Sequence, residues 1–160
     1  MAYGNDTTRR DDPFNLQRFA SAQHGVYGRA LSELKKGEKR SHWMWFIFPQ
    51  VDGLGCSTTT KHYAIKSMDE ARQYLNHPVL GPRLVECAEA VLAVEGRTVS
   101  DIFGHPDDMK LGSSMTLFAS AAEGPSVFGR ILEKYFDGQP DAKTLQVLEK
   151  LKDKKGGSRI

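Results

Sequence analysis

Aromatic residues are concentrated in one short segment that has polar residues at both ends. Four of them, including both tryptophans of the chain, fall within six positions: Trp43, Trp45, Phe46 and Phe48. Large rings anchor a hydrophobic core, and the same rings offer a face on which a ligand ring stacks. His42 and Gln50 supply polar groups at the ends of the segment. The sequence leaves both roles open, and it makes His42, Trp43, Trp45 and Gln50 candidates for ligand binding.

A second segment carries acids, a lysine and hydroxyl groups in close succession. Lys110, Ser113 and Ser114 follow one another at helical spacing, so one helix face would hold them where they could bind a phosphate or ribose hydroxyls. Asp107 and Asp108 precede them and offer carboxylates for proton transfer. The alternative interpretation is a helix start with an internal ion pair, in which the hydroxyls donate to carbonyl groups one turn back.

Several common catalytic arrangements are missing from the sequence. The loop from Gly53 to Lys61 has glycines and hydroxyls but not the spacing of a phosphate-binding P-loop, and no nucleophile elbow of the GxSxG type occurs. The five histidines never fall within four residues of one another, and the two cysteines do not form a CxxC pair. The sequence therefore predicts no metal site and no cofactor.

Helical periodicity dominates the elements that must position these residues. Apolar residues recur at steps of three and four from Leu16 to Leu34, after a capping Asp12, which predicts one long first helix. Ser67 and Glu70 have the spacing of a capping box, and Thr98 precedes another short turn. We expect an all-α, compact, single domain of about six or seven helices over residues 13–152. Residues 1–12 and 153–160 lack this periodicity, so we expect them to be flexible tails.

Composition excludes several classes of protein. The 22 Lys and Arg residues nearly balance the 20 Asp and Glu residues, giving a net charge of +2, which argues against a nucleic-acid partner. No apolar run is long enough to cross a membrane, and the first residues lack the apolar core of a secretory signal. Two cysteines, Cys56 and Cys87, do not make a disulfide framework. These features predict a cytoplasmic protein without a membrane partner; the oligomeric state is left open.

Several segments together resemble one known family. They read SHWMWFIFPQ (residues 41–50), GLG (53–55), EARQYLNHP (70–78), LGPRL (80–84), DIFG (101–104) and KLGSSMTLF (110–118). In this order they are similar to the bacterial domain-of-unknown-function family 1810, some of whose members carry a calpastatin label. The resemblance spans about residues 14–151 and implies an all-helical domain with no established activity. The chain departs from the family pattern at Gly112, where the family has a larger, often basic residue.

Two hypotheses of function follow. The first is a small-molecule site for a nucleotide or an ADP-ribose-like ligand, with Trp43 and Trp45 for stacking. A looser resemblance to small helical proteins that act on ADP-ribose suggests hydrolysis of an N-glycosidic bond. Its general acid or base would be Asp107, Asp108 or Glu70, with a pKa moved towards neutrality by burial. The alternative is a non-catalytic protein-interaction module, which predicts a sizeable apolar surface patch.

Overall fold

Helices make up nearly all of the regular structure. The structure is a computed structural model that describes residues 12–157, with side chains described through residue 152. Ten helices run through this part of the chain: α1 (Gln17–Gln23), α2 (Tyr27–Lys35), α3 (Met44–Ile47), α4 (Thr58–Tyr63), α5 (Met68–Asn76), α6 (Leu80–Ala93), α7 (Val99–Phe103), α8 (Asp107–Ala122), α9 (Val127–Phe136) and α10 (Ala142–Gly157). Within these residues the other regular feature is an isolated parallel bridge between Val51 and Ile65. The predicted all-α class is confirmed.

The number of helices exceeds the predicted six or seven, so that part of the prediction was wrong. Seven of the ten helices have seven residues or more, and the short helices α3, α4 and α7 add to them. The predicted first helix is also divided in two, because the chain turns between α1 and α2 at Gly25. Gly25 has a φ of 78°, a left-handed conformation that glycine adopts without steric cost.

Helix α8 lies at the centre of the domain. It packs against α5, α7, α9 and α10, and every residue from Leu111 to Phe118 is buried. A helix that is buried on all sides shows weak amphipathic periodicity. This explains why serines and a threonine occur in its interior, since small hydroxyl side chains can bond to the helix backbone itself.

A chain of aromatic contacts joins four helices through the core. Tyr74 of α5 is fully buried, and its ring centroid lies 5.1 Å from that of Phe19 in α1 and 5.3 Å from that of Phe118 in α8. Phe118 in turn lies 5.8 Å from Phe128 of α9. Helix α6 packs against α2, α5 and α9 on the same core, so the helices form one compact domain.

Side-chain caps fix several helix starts as the sequence predicts. Asp12 accepts hydrogen bonds from the backbone N–H groups of Leu16 (2.6 Å) and Gln17 (2.8 Å), although α1 begins four residues later than Pro13. Ser67 accepts from the N–H of Glu70 at the start of α5. Thr98 and Asp101 form a reciprocal capping box at α7. These local bonds need no tertiary contact, which is why the sequence reveals them.

The start of α6 approaches the end of α5 very closely. A Cβ atom placed on Gly81 would lie 2.1 Å from the backbone oxygen of Leu75. That distance is far inside van der Waals contact, so only glycine fits here.

The described helices contain none that is long and apolar enough to cross a membrane. Helix α10 continues to Gly157, past the predicted domain end at residue 152. Residues 1–11 and 158–160, which belong to the predicted tails, lie outside the described residues. The flexibility of both tails stays a prediction.

Candidate functional site

Trp43 belongs to the core. Its side chain is fully buried, and its ring lies near those of Phe48 (6.3 Å) and Phe103 (6.5 Å). Its indole Nε1 donates a hydrogen bond of 2.9 Å to Oε1 of Glu33. Because no face of this ring reaches solvent, the predicted stacking role of Trp43 is wrong. Trp45 is half-buried, so it remains the candidate of the two tryptophans.

Glu33 is the buried anchor of the segment that contains Trp43. Its carboxylate accepts hydrogen bonds from the N–H groups of Arg40 (2.8 Å) and Ser41 (3.0 Å), the Ser41 hydroxyl and the Trp43 indole. Burial opposes ionisation, but these donors outweigh it and lower the pKa of Glu33 to about 2. Sequence reasoning missed this residue. The available signal is its spacing of three residues after the buried Ala30, which places a carboxylate on the apolar face of α2.

Lys39, a second residue that sequence reasoning missed, connects this segment to α8. Its ammonium nitrogen lies 2.8 Å from Oδ2 of Asp107 and donates to the carbonyl of Ser41 at 2.7 Å. The same nitrogen lies 5.0 Å from the ring centroid of Trp43. The side chain is only 6 % exposed, so three interactions hold this cation in a nearly buried position.

Lys110 approaches the same carboxylate from the other side. Its ammonium nitrogen lies 3.6 Å from Oδ1 of Asp107 and 5.4 Å from the ring centroid of Trp45. The side chain is 28 % exposed, so this lysine remains open to solvent. We call Lys39, Trp45, Asp107 and Lys110 the lysine–tryptophan cluster. It combines two cations, one anion and a half-buried ring, which leaves a local charge of +1.

The hydroxyl groups of α8 behave in two ways. Most of them donate to a carbonyl one turn back: Ser113 to Met109 (3.3 Å), Thr116 to Gly112 (2.8 Å) and Ser120 to Thr116 (3.0 Å). Ser114 is the exception, since its Oγ is buried and has no hydrogen-bond partner, the one such side-chain atom in the described part of the chain. It follows Lys110 by one helical turn, so it lies on the same face of α8 as the cluster.

Asp108 belongs to a separate hydrogen-bonded group. Its carboxylate accepts from the Ser100 hydroxyl at 2.7 Å and lies 3.0 Å from Nδ1 of His105. Burial opposes ionisation, but the hydrogen bonds from Ser100, the Met109 N–H and His105 outweigh it and hold the pKa of Asp108 below its usual range. A carboxylate that keeps its charge in this way does not suit the role of general acid at neutral pH.

Glu70 lies in an ion pair away from the cluster. Its Oε2 is 2.7 Å from a guanidinium nitrogen of Arg18, and its Oε1 accepts from the Lys66 N–H at 2.8 Å. Arg18 also donates to four backbone carbonyl groups, those of Phe14, Asn15, His62 and Ala64. With Glu70 only 2 % exposed, the pair fastens α1 to the start of α5.

The remaining predicted site residues do not join the cluster. His42 is exposed, and within the described residues it makes no hydrogen bond or ion pair. Gln50 is half-buried, and its backbone oxygen accepts from the Ile65 N–H at 2.9 Å. The structure thus brings Trp45, Lys110 and Asp107 together, places Ser114 on the same helix face, and leaves His42 and Gln50 outside.

Comparison with known proteins identifies the family. The family model described as "Protein of unknown function (DUF1810)" matches residues 13–148. The chain belongs to the DUF1810 family. This confirms the resemblance that the sequence motifs indicate.

One solved structure is similar to this DUF1810 protein over most of its length. It is the crystal structure of the conserved hypothetical protein Rv1873 from Mycobacterium tuberculosis, which is 51 % identical in sequence. The match covers 86 % of this chain and 99 % of that chain, with a TM-score of 0.85. No curated protein matches the chain.

Gly112, where the sequence motifs predict a departure from the family pattern, lies against the ring of Phe136. A Cβ atom at position 112 would lie 3.1 Å from Cε1 of Phe136, closer than ordinary contact. A larger side chain at this position would therefore have to move the Phe136 ring. In this member of the family, the space beside Gly112 is filled by Phe136.

Two of the surface depressions lie away from the lysine–tryptophan cluster. One, of about 350 Å³, lies between the start of α1 and the end of α5, lined by Asp12, Pro13, Phe14, Leu16, Gln17, Gln73, Asn76, His77 and Pro78. The other, of about 330 Å³, lies along α6, lined by Lys35, Glu86, Glu89, Ala90, Ala93 and Val94. Neither combines an aromatic face with paired lysines, so the cluster is the better candidate site. No group of three His, Cys, Asp or Glu suited to a metal ion occurs among the described residues.

Proposed function

We propose that the protein binds a small anionic ligand with an aromatic ring, a nucleotide or an ADP-ribose-like molecule, at the lysine–tryptophan cluster. The observation that carries the proposal is the position of Lys110, whose ammonium lies between the half-buried ring of Trp45 and the carboxylate of Asp107. A ligand ring that stacks on Trp45 would place an attached phosphate within reach of this ammonium.

The environment of Ser114 supports the same site. A buried hydroxyl without a partner costs free energy, and native proteins rarely keep one without a reason. Ser114 lies one turn beyond Lys110 on α8 and is the exception among the helix hydroxyls. Ser114 is itself fully buried, so its hydroxyl would act on a ligand only through a bridging water.

A catalytic version of the proposal rests on Asp107. Hydrolysis of an N-glycosidic bond breaks the C1′–N bond, adds water at C1′ and returns a proton to the departing base. Among the three predicted acids, Asp108 is held in its charged form and Glu70 is committed to Arg18. Asp107 is also ion-paired, with Lys39, but it is the acid that lies beside Trp45 and Lys110. As a carboxylate at the proposed site, it is the candidate general base for the attacking water.

Calorimetric titration with AMP and with ADP-ribose tests the proposal. We expect binding by the wild type, and a loss of affinity of about 5-fold to 150-fold in Trp45→Leu, the range that removal of a stacking ring gives. Lys110→Met keeps the apolar stem but removes the charge, and it should weaken binding by about tenfold. Lys143→Met, an exposed lysine on α10, is the matched control and should bind like the wild type.

Two results would count against parts of this proposal. Absence of heat at millimolar AMP and ADP-ribose would refute the binding site. Wild-type affinity in both Trp45→Leu and Lys110→Met would refute it as well. Catalysis is distinguished from binding by chromatography of the reaction mixture, which detects any free adenine released. Binding without adenine release would remove the hydrolase and leave a binding protein.

The interaction-module alternative stays a prediction. It calls for a sizeable apolar surface patch, whereas the exposed large apolar side chains of the described residues lie at three separate places: Val79 just before α6, Met109 on α8 and Leu145 on α10. Met109 is the most exposed, at 60 %, and it precedes Lys110 on α8. A single exposed side chain at each place gives weaker support than the charge and aromatic arrangement of the cluster.

A further inference from the structure

Asp107 holds a position that a ligand anion would otherwise take. We propose that this carboxylate occupies the anion subsite of the cluster from within the chain, so that the site selects ligands with a doubly charged phosphomonoester. The inference rests on the proposed function and specifies its ligand class. Three arguments support it: the fixed position of Lys39, the open position of Lys110, and the charge of the ligand anion compared with that of Asp107.

Lys39 is the fixed cation of the pair. Its ammonium has a short ion pair to Asp107 (2.8 Å), a hydrogen bond to the Ser41 carbonyl (2.7 Å) and the face of Trp43 on another side. Ser41 and Trp43 are themselves held by the Glu33 carboxylate. With 6 % exposure, this lysine has neither the freedom nor the access to follow a ligand.

Lys110 is the cation that is free to form an ion pair with a ligand anion. Its distance to Asp107 is 3.6 Å, beyond the range of a charge-assisted hydrogen bond. It is 28 % exposed and lies over the half-buried Trp45 rather than a buried ring. A ligand anion can therefore replace Asp107 at Lys110 while Asp107 keeps its short contact with Lys39.

Charge decides which anions gain from this exchange. A ligand carboxylate brings the same single charge that Asp107 already supplies, so the Coulomb attraction to Lys110 is merely replaced. A phosphomonoester carries close to two negative charges above its second pKa of about 6, so its attraction to Lys110 is nearly doubled. The site should therefore prefer a phosphomonoester over a carboxylate on the same ring system.

Calorimetry at pH 7.5 and low salt tests the inference with three probes that share one ring: AMP, adenosine-5′-carboxylate and adenosine. The wild type should bind AMP about tenfold more tightly than the carboxylate. Asp107→Asn removes the internal competitor, and its amide oxygen can still accept from Lys39. It should bind both anions about tenfold more tightly than the wild type, with adenosine unchanged.

The control is Asp69→Asn, which makes the same change in net charge. Asp69 also lies in the first turn of its helix, and its carboxylate is 3.7 Å from Arg72. It should leave the affinity of all three probes unchanged. The comparison of AMP with the carboxylate needs only the wild type, so the inference stays testable even if Asp107→Asn fails to fold.

Each result decides between the two proposals. Equal wild-type affinity for AMP and the carboxylate, or no increase in the affinity for AMP in Asp107→Asn, would overturn the role of Asp107. Binding of AMP by the wild type would still support the site in that case. Binding of AMP by the Asp107→Asn variant but not by the wild type would refute the proposed function and, with it, the selectivity inferred for the native site. Absence of binding by both proteins would overturn the site and the inference together.

Discussion

Substitution of Glu33 by glutamine gives the sharpest test of how the aromatic segment is held. The Glu33 carboxylate accepts four hydrogen bonds from residues 40–43 and is 9 % exposed. Glutamine has nearly the same shape but no charge. Its NH₂ group would replace Oε2 and face the Ser41 hydroxyl, while its oxygen would keep the three donors of Oε1 without the negative charge. Glu33→Gln should therefore weaken the attachment of this segment to α2 without leaving a cavity.

The magnitude follows from the pKa. A carboxyl whose pKa falls from 4.5 to about 2 on folding contributes about 3 kcal/mol to the free energy of unfolding, at 1.36 kcal/mol for each pH unit. Because the folded pKa is lowered, this contribution is complete above the unfolded value and is lost as the pH falls through the folded value. Linkage leaves about half of this contribution at pH 3.

Urea denaturation followed by circular dichroism measures this contribution. At pH 7 we expect Glu33→Gln to be about 3 kcal/mol less stable than the wild type, and the difference should shrink to about half at pH 3. Other acids titrate in both proteins, so the difference isolates Glu33. Glu38→Gln is the matched control, because Glu38 and its partner Arg40 are more than half exposed; it should change stability by less than about 0.5 kcal/mol. A wild-type minus Glu33→Gln difference that does not vary with pH would refute the reasoning.

Two further pairs of variants test the packing of α8 and α6. Ser114→Ala removes a buried hydroxyl without a partner and should raise the free energy of unfolding by about 1 kcal/mol. Thr116→Val removes a hydroxyl that has hydrogen-bond partners and should lower the free energy of unfolding by about 1–3 kcal/mol. Equal effects of the two substitutions in urea denaturation would contradict the assignment of Ser114 as unpartnered. Gly81→Ala should cost at least about 3 kcal/mol because its Cβ would meet the Leu75 backbone oxygen, while Gly28→Ala, with open space and a helical position, should stabilise by up to about 1 kcal/mol. A mild effect of Gly81→Ala in thermal melts would show that α5 and α6 can separate at little cost.

The local features of the fold are those that the sequence predicts well. Helix α5 begins after Ser67 and α7 after Thr98, because each cap is a bond between groups three residues apart. The division of α1 from α2 at Gly25 was missed. The apolar periodicity continues across that glycine, and only packing against the rest of the core decides whether the chain bends there.

For the candidate site, the residue types and the face of α8 that carries them follow from the sequence alone. Helical spacing places Asp107, Lys110 and Ser114 along one side, and composition places both tryptophans in one segment. The tertiary structure decided which tryptophan is buried, and it brought Lys39 to Asp107 across 68 positions of sequence. It also gave Glu33 its four donors and left Ser114 without one. Burial and charge pairing depend on which helices meet, and that is set by the whole core rather than by any local pattern.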